Sequence, residues 1–166
     1  MAELTPQERL QPALLDRLTD DAPHERQESR DKRVLSMRRL RECVLRDLSW
    51  LLNTGNLEQV DDLQAYPAVR KSVVNYGAPD LSGSYLSGAD LGRIERELYR
   101  AIVDFEPRLL SNTVKIRASV NESQWNRNAV TFEIEGMLWS QPMPQRLFLR
   151  TDIDLETGHA TVVETA

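Results

Sequence analysis

Glu106 and Arg108 stand either side of Pro107 in the otherwise largely apolar stretch IVDFEPRLL, residues 102–110. A carboxyl group among apolar residues is a candidate general acid when its pKa is raised, and Phe105 and Leu109 are its neighbours in sequence. Arg108 argues the other way, because a nearby guanidinium lowers a carboxyl pKa, which suits pairing and not proton donation. The proline fixes one backbone torsion, so both charges leave the corner in set directions. Such a corner suits reading complementary polar groups on another chain, or an internal salt bridge at a helix end; the residues alone leave both open. Placed at a helix end, the charges are expected to point outward, and so to matter more for binding than for stability.

Other chemistry finds little support. There is no Gly-x-Ser-x-Gly, and the single cysteine, Cys43, falls in the middle of a helical pattern with no basic partner in sight. His24 and His159 are far from Cys43 and from each other, which makes a structural zinc site improbable; no metal or cofactor is expected. The loop APDLSGSYLSG at 78–88 is rich in glycine and serine but lacks the Gly-Lys-Ser/Thr of a phosphate cradle. Paired acids for glycoside hydrolysis are harder to exclude, since any two can meet in space.

The elements that must hold the corner are legible from periodicity. Residues 1–28 read as an extended arm with Pro6, Pro12 and Pro23, in which Leu14, Leu15 and Leu18 form a docking patch for the domain body or for a partner. Residues 29–166 read as a single domain. Ser29 is placed to cap a helix running to Leu52, with Val34, Met37, Leu40, Val44, Leu48 and Leu51 as its apolar stripe. A short helix is expected within 63–77, opened by Pro67 and closed by Gly77. The next begins at Ser87 and buries Leu91, Ile94, Leu98, Ala101, Ile102 and Phe105 until Pro107 stops it. From Thr113 the period becomes two. Four strands follow, near 114–120, 130–138, 147–155 and 160–163, with Lys115 and Arg117 able to face Glu133 and Glu135. The fold class is α+β: an N-terminal arm and about three helices packed on one face of a mainly antiparallel meander.

Bulk composition agrees with a soluble domain. The chain is 40% apolar and 28% charged, with net charge −5. It has no run of apolar residues that would span a membrane and no signal-peptide core after Met1, so direct membrane insertion is not expected and a cytoplasmic location is. Between Ser29 and Trp50 seven Lys or Arg face three acids, a basic helix on an acidic body. That pattern fits a solvated face or an acidic protein partner better than nucleic acid.

Four stretches together carry a resemblance: LLDRLTDD at 14–21, LRDLSWLLNT at 45–54, YPAVRKSVVNYGAPDLSG at 66–83 and FEPRL at 105–109. The chain resembles the TssE family, baseplate components of bacterial type VI secretion systems related to the wedge and sheath-initiator protein of contractile phage tails. The resemblance implies a non-enzymatic structural role, in a baseplate docked at the inner membrane. It makes Glu106, Pro107 and Arg108 contacts for the wedge proteins TssF and TssG. It makes the edge of the C-terminal sheet a template for the sheath proteins TssB and TssC, with TssK as a further partner. The family once carried a lysozyme-like label, so a peptidoglycan hydrolase is the alternative, and a nucleic-acid-binding module comes third.

Overall fold

The period-two segments form four strands, β1 (Lys115–Ser119), β2 (Ala129–Leu138), β3 (Gln145–Asp154) and β4 (Ala160–Glu164), which lie in that order in one antiparallel sheet. The computed structural model describes residues 13–19, 23–24, 36–82, 88–119, 129–140 and 143–165. Ser29, Val34, Ser87, Val120, the polar turn at 121–128 and Pro142 lie outside these residues. The expected charge register is present, with Lys115 opposite Glu135 and Arg117 opposite Glu133, an arrangement that contributes about 0.2–1 kcal/mol per pair. Alternation sends Val130, Phe132, Ile134, Leu138, Leu147, Leu149 and Ile153 to one buried face.

Two long helices cover that face. In α2 (Met37–Leu52), Leu40, Val44, Leu48 and Leu51 are buried at helical spacing. In α4 (Gly88–Phe105), Ile94, Leu98, Ala101 and Ile102 are buried in the same way. α4 packs along β1 and α2 along β4, and one continuous core joins them to the sheet. Removing such side chains from water, at roughly 25 cal/mol per Å², is what holds the layers together. No helix among the described residues is long and apolar enough to cross a membrane.

Two expectations about the helices need correcting. α2 starts at Met37, not near Ser29: Ser36 has an extended backbone, and its side chain accepts from the Arg39 amide at 3.1 Å, so this later serine makes the cap. The helix expected within 63–77 is only one turn, α3 (Pro67–Arg70), followed by a separate 3-10 turn at Val73–Asn75. Side chains break it. Ser72 donates to Val69 O and accepts from Val74 N, while Asn75 donates to Arg70 O and accepts from the Glu58 amide, competing with a continued helix. Among the described residues, α2 and α4 are the two long helices that cover the sheet. Gly77 then turns with a φ of 136°, where a Cβ would lie 2.4 Å from Thr54 O, so only glycine fits.

α2 is tied to the sheet at its C-terminal end by one side chain. The Asn53 amide donates to Ala160 O at 2.8 Å and accepts from Ala160 N at 2.9 Å, satisfying both backbone groups of the first, buried residue of β4. Asn53→Ala leaves those groups unpaired, at a cost of about 1–3 kcal/mol. Thermal unfolding should fall by roughly 2–12 °C, whereas an unchanged midpoint would show that the tie contributes nothing.

Candidate functional site

The Glu-Pro-Arg corner is built from the end of α4. The Glu106 amide makes the last helical bond, to Ile102 O at 2.8 Å, and Glu106 O then accepts from the Leu109 amide at 3.1 Å. Pro107 therefore occupies the second position of a four-residue turn, which suits its fixed φ. The chain leaving the turn hooks onto the end of β2: the Trp139 amide donates to Arg108 O at 2.7 Å and the Leu110 amide to Met137 O at 2.9 Å. Backbone hydrogen bonds thus hold the corner at both ends.

The side chains inside this corner form a buried ion network. Glu106 is only 3% exposed. Its carboxylate accepts from the Arg108 amide at 3.1 Å, from Arg108 Nε at 2.7 Å and from Arg108 Nη2. Arg108 Nη2 also reaches Asp47 Oδ2 on α2 at 2.6 Å. The other Asp47 oxygen accepts from Arg46 Nε at 2.9 Å, and Arg46 Nη1 donates to Asp16 Oδ1 at 2.7 Å. Five charged residues from three segments are linked in series. Burial works against the charge of Arg108, but pairing with Glu106 and then Asp47 more than offsets it and raises its pKa above the ordinary value. Burial likewise opposes ionisation of Asp16, yet hydrogen bonds from Arg46 and Cys43 hold its pKa below the ordinary value. Cys43 is raised, first by burial and then by Asp16, which makes it a protonated thiol and not a nucleophile. Tyr76 is raised by burial and by the negative charges of Asp47 and Glu106.

Two expectations change as a result. The corner's charges were expected to point outward; instead Glu106 is turned inward and pairs with Arg108, because its own turn brings the guanidinium back over it. The leucines of the arm were expected to dock on the domain body or on a partner, and the body does not cover them. In α1 (Leu14–Leu18), Leu14 and Leu18 are 71% and 74% exposed, and the side chain that meets the domain body is Asp16, 5% exposed against Arg46. In the sequence Asp16 is one acid of a polar arm, and Arg46 and Asp47 are charges of a basic helix whose adjacency on α2 is the usable signal of a network. Other arginines of that helix are also engaged: Arg38 with Glu42, and Arg41 with Glu164.

Beside the network lies a groove of about 390 Å³, walled by Trp50, Leu51, Tyr76, Phe105 and Pro107, with Ala13 of the α1 segment at one side and Asp47, Glu106 and Arg108 lining it. Trp50 is half exposed, and its ring lies 5.1 Å from the Arg46 guanidinium carbon. Arg108 Nη1 is buried and has no hydrogen-bond partner among the described residues. A larger cleft of about 510 Å³ separates α4 from the 56–80 segment; it mixes both signs of charge, with Arg70 paired to Glu58 and Arg93 to Glu97. No group of residues suited to holding a metal ion is found among the described residues.

The burial of Glu106 sets its cost of removal. Glu106→Gln keeps the shape but leaves Arg108 with Asp47 alone, and breaking a buried pair from one side costs about 3–5 kcal/mol. Thermal unfolding should drop by roughly 6–20 °C. A drop of less than about 2 °C would mean that the network does not stabilise the corner.

Comparison with known proteins places this geometry. The family model of the baseplate wedge protein gp25 (GPW_gp25) matches residues 38–143. That span holds Arg46, Asp47, Trp50, Glu106 and Arg108, and stops before β3. A solved protein described as a tail lysozyme, from Geobacter sulfurreducens, is 21% identical over 70% of this chain and 92% of its own, with a TM-score of 0.47, too low for the likeness to carry any argument. A comparison with curated proteins finds no match. The family model spans well over half of the sequence, and the chain belongs to the baseplate wedge protein gp25 family.

Proposed function

We propose that the protein is a non-enzymatic baseplate subunit of a type VI secretion apparatus, joining the wedge proteins TssF and TssG to the sheath proteins TssB and TssC. It works in the cytoplasm, within a baseplate docked at the inner membrane, where TssK is a further neighbour. The observation that carries the wedge contact is the open, largely apolar groove walled by Trp50, Tyr76, Phe105 and Pro107, with the Arg108 guanidinium at its side. An apolar helix face of the wedge fits such a groove. The exposed leucines of α1, Leu14, Leu15 and Leu18, add apolar surface for the same assembly. Cell-wall hydrolysis has less support. Glu106 is buried, and its carboxylate is taken up by three hydrogen bonds from Arg108.

The sheath contact is assigned to β4. On β1 the outward amide of Ala118 already donates to Glu95 of α4 at 2.7 Å, in the middle of that edge. On β4, Asn53 takes both backbone groups of Ala160, so alternation turns the amides of Val162 and Glu164 outward as well. An edge with free ladder groups accepts an added strand.

Each contact has its own test. Trp50 is half exposed and touches the ion network only through the face of its ring over Arg46, a contact of about 0.5–1 kcal/mol at such a site. Trp50→Ala should therefore lower thermal unfolding by only about 1–4 °C and lower TssF–TssG affinity roughly 5- to 30-fold, the loss expected for a contact residue of moderate to high weight. Unchanged affinity would remove the groove from the interface. Val162→Pro deletes an outward amide while sparing the ladder to β3. With the fold intact by thermal unfolding, the expected phenotype is a baseplate without sheath, and normal sheaths would contradict templating by β4.

A further inference from the structure

α1 is too short to be stable alone, since isolated helices of fewer than about 12 residues are marginal in water. It has no side-chain N-cap, and its three leucines are exposed, so neither capping nor apolar burial holds it in place. What meets the domain is Asp16, through Arg46 Nη1 at 2.7 Å. Arg46 in turn contacts Asp47, and Asp47 contacts Arg108. The attachment of the arm and the orientation of the corner therefore share one chain of charges. Ala13, immediately before α1, borders the groove beside Trp50 and Arg108.

We infer that Asp16 is a positioning residue for the groove: by clipping α1 to Arg46 it completes one wall and fixes Arg46 and Asp47, and through Asp47 it aims Arg108. The inference rests on the reading of the groove as the wedge contact and adds the device that sets it. Arg46 is a fork able to serve Asp16 and Asp47 at once, a geometry the point charge of lysine does not reproduce. Asp16 gains from Arg46 a charged hydrogen bond in a mostly buried site, the strong kind. Removal of either end should loosen the other, even though Asp16 and Arg108 do not touch.

The test uses the full chain with Asp16→Asn, Asp16→Glu, Arg46→Lys and Arg108→Ala. Amide exchange at residues 14–19 and thermal unfolding are followed in the protein alone, and affinity is measured for purified TssF–TssG. Asp16→Asn should speed exchange in α1 and weaken binding by roughly tenfold, with the domain still folded; Arg46→Lys should act in the same direction. Asp16→Glu should recover part of the affinity. Arg108→Ala should speed exchange in α1 without touching it, an effect that a merely local ion pair at Asp16 would not produce. If α1 exchanges faster in Asp16→Asn but binding stays at the wild-type level while Arg108→Ala loses it, the positioning role is overturned and the wedge contact stands. If Arg108→Ala itself binds normally, the underlying reading fails. Unchanged α1 exchange in both Asp16→Asn and Arg108→Ala would show that no clip exists.

Discussion

A carboxylate as buried as Glu106 must be matched inside the protein, because an uncompensated charge removed from water costs several kcal/mol. Most of the upper half of the structure follows from that requirement. The α4 helix has to end where a turn can bring Arg108 back over the carboxylate, and Pro107 sets that turn. Arg108 offers more donors than Glu106 can use, so α2 supplies Asp47. Asp47 in turn holds Arg46, whose Nη1 reaches Asp16 and with it α1. A network of this kind is weak evidence for added stability, since apolar residues of the same volume often do as well. Its use lies in direction: it fixes one guanidinium at the side of a groove.

The sheet obeys a different constraint. Its ladders leave two edges, and exposed edges invite unwanted pairing. α4 answers at β1 with the Glu95 carboxylate, while β4 is closed only at its first residue, by Asn53. The corner and the β4 edge are thus held by separate interactions, one ionic and one through an amide. The adaptor role proposed above would require that independence, because loading one contact should not dissolve the other.

Local rules made much of this architecture legible. The period of two fixed the strands and placed Lys115 and Arg117 against Glu135 and Glu133, since register follows from alternation. The stripe through Leu40, Val44, Leu48 and Leu51, and that through Ile94, Leu98 and Ile102, announced the two covering helices. The failures share a cause, which is competition from side chains whose partners lie elsewhere. α3 stops after one turn because Ser72 and Asn75 bond to the backbone around them. Glu106 turns inward because Arg108 and Asp47 meet it, and Asp47 is 61 residues away from Arg108 in sequence. In the arm, the three leucines stay exposed and the contact with the body is made by the aspartate among them. The groove itself is formed by segments from α1, α2, the Tyr76 loop and α4, a juxtaposition no single stretch of sequence contains.

The most direct measurement is amide hydrogen exchange across the full chain, free and bound to purified TssF–TssG. Burial of the corner by the wedge predicts new protection at residues 14–19, around Trp50 and across 105–110, with the amides of Val162 and Glu164 still exchanging as in the free protein. Protection confined to the β4 edge, or to the exposed loop bearing Val60, Val73 and Val74, with the corner unchanged, would contradict the account.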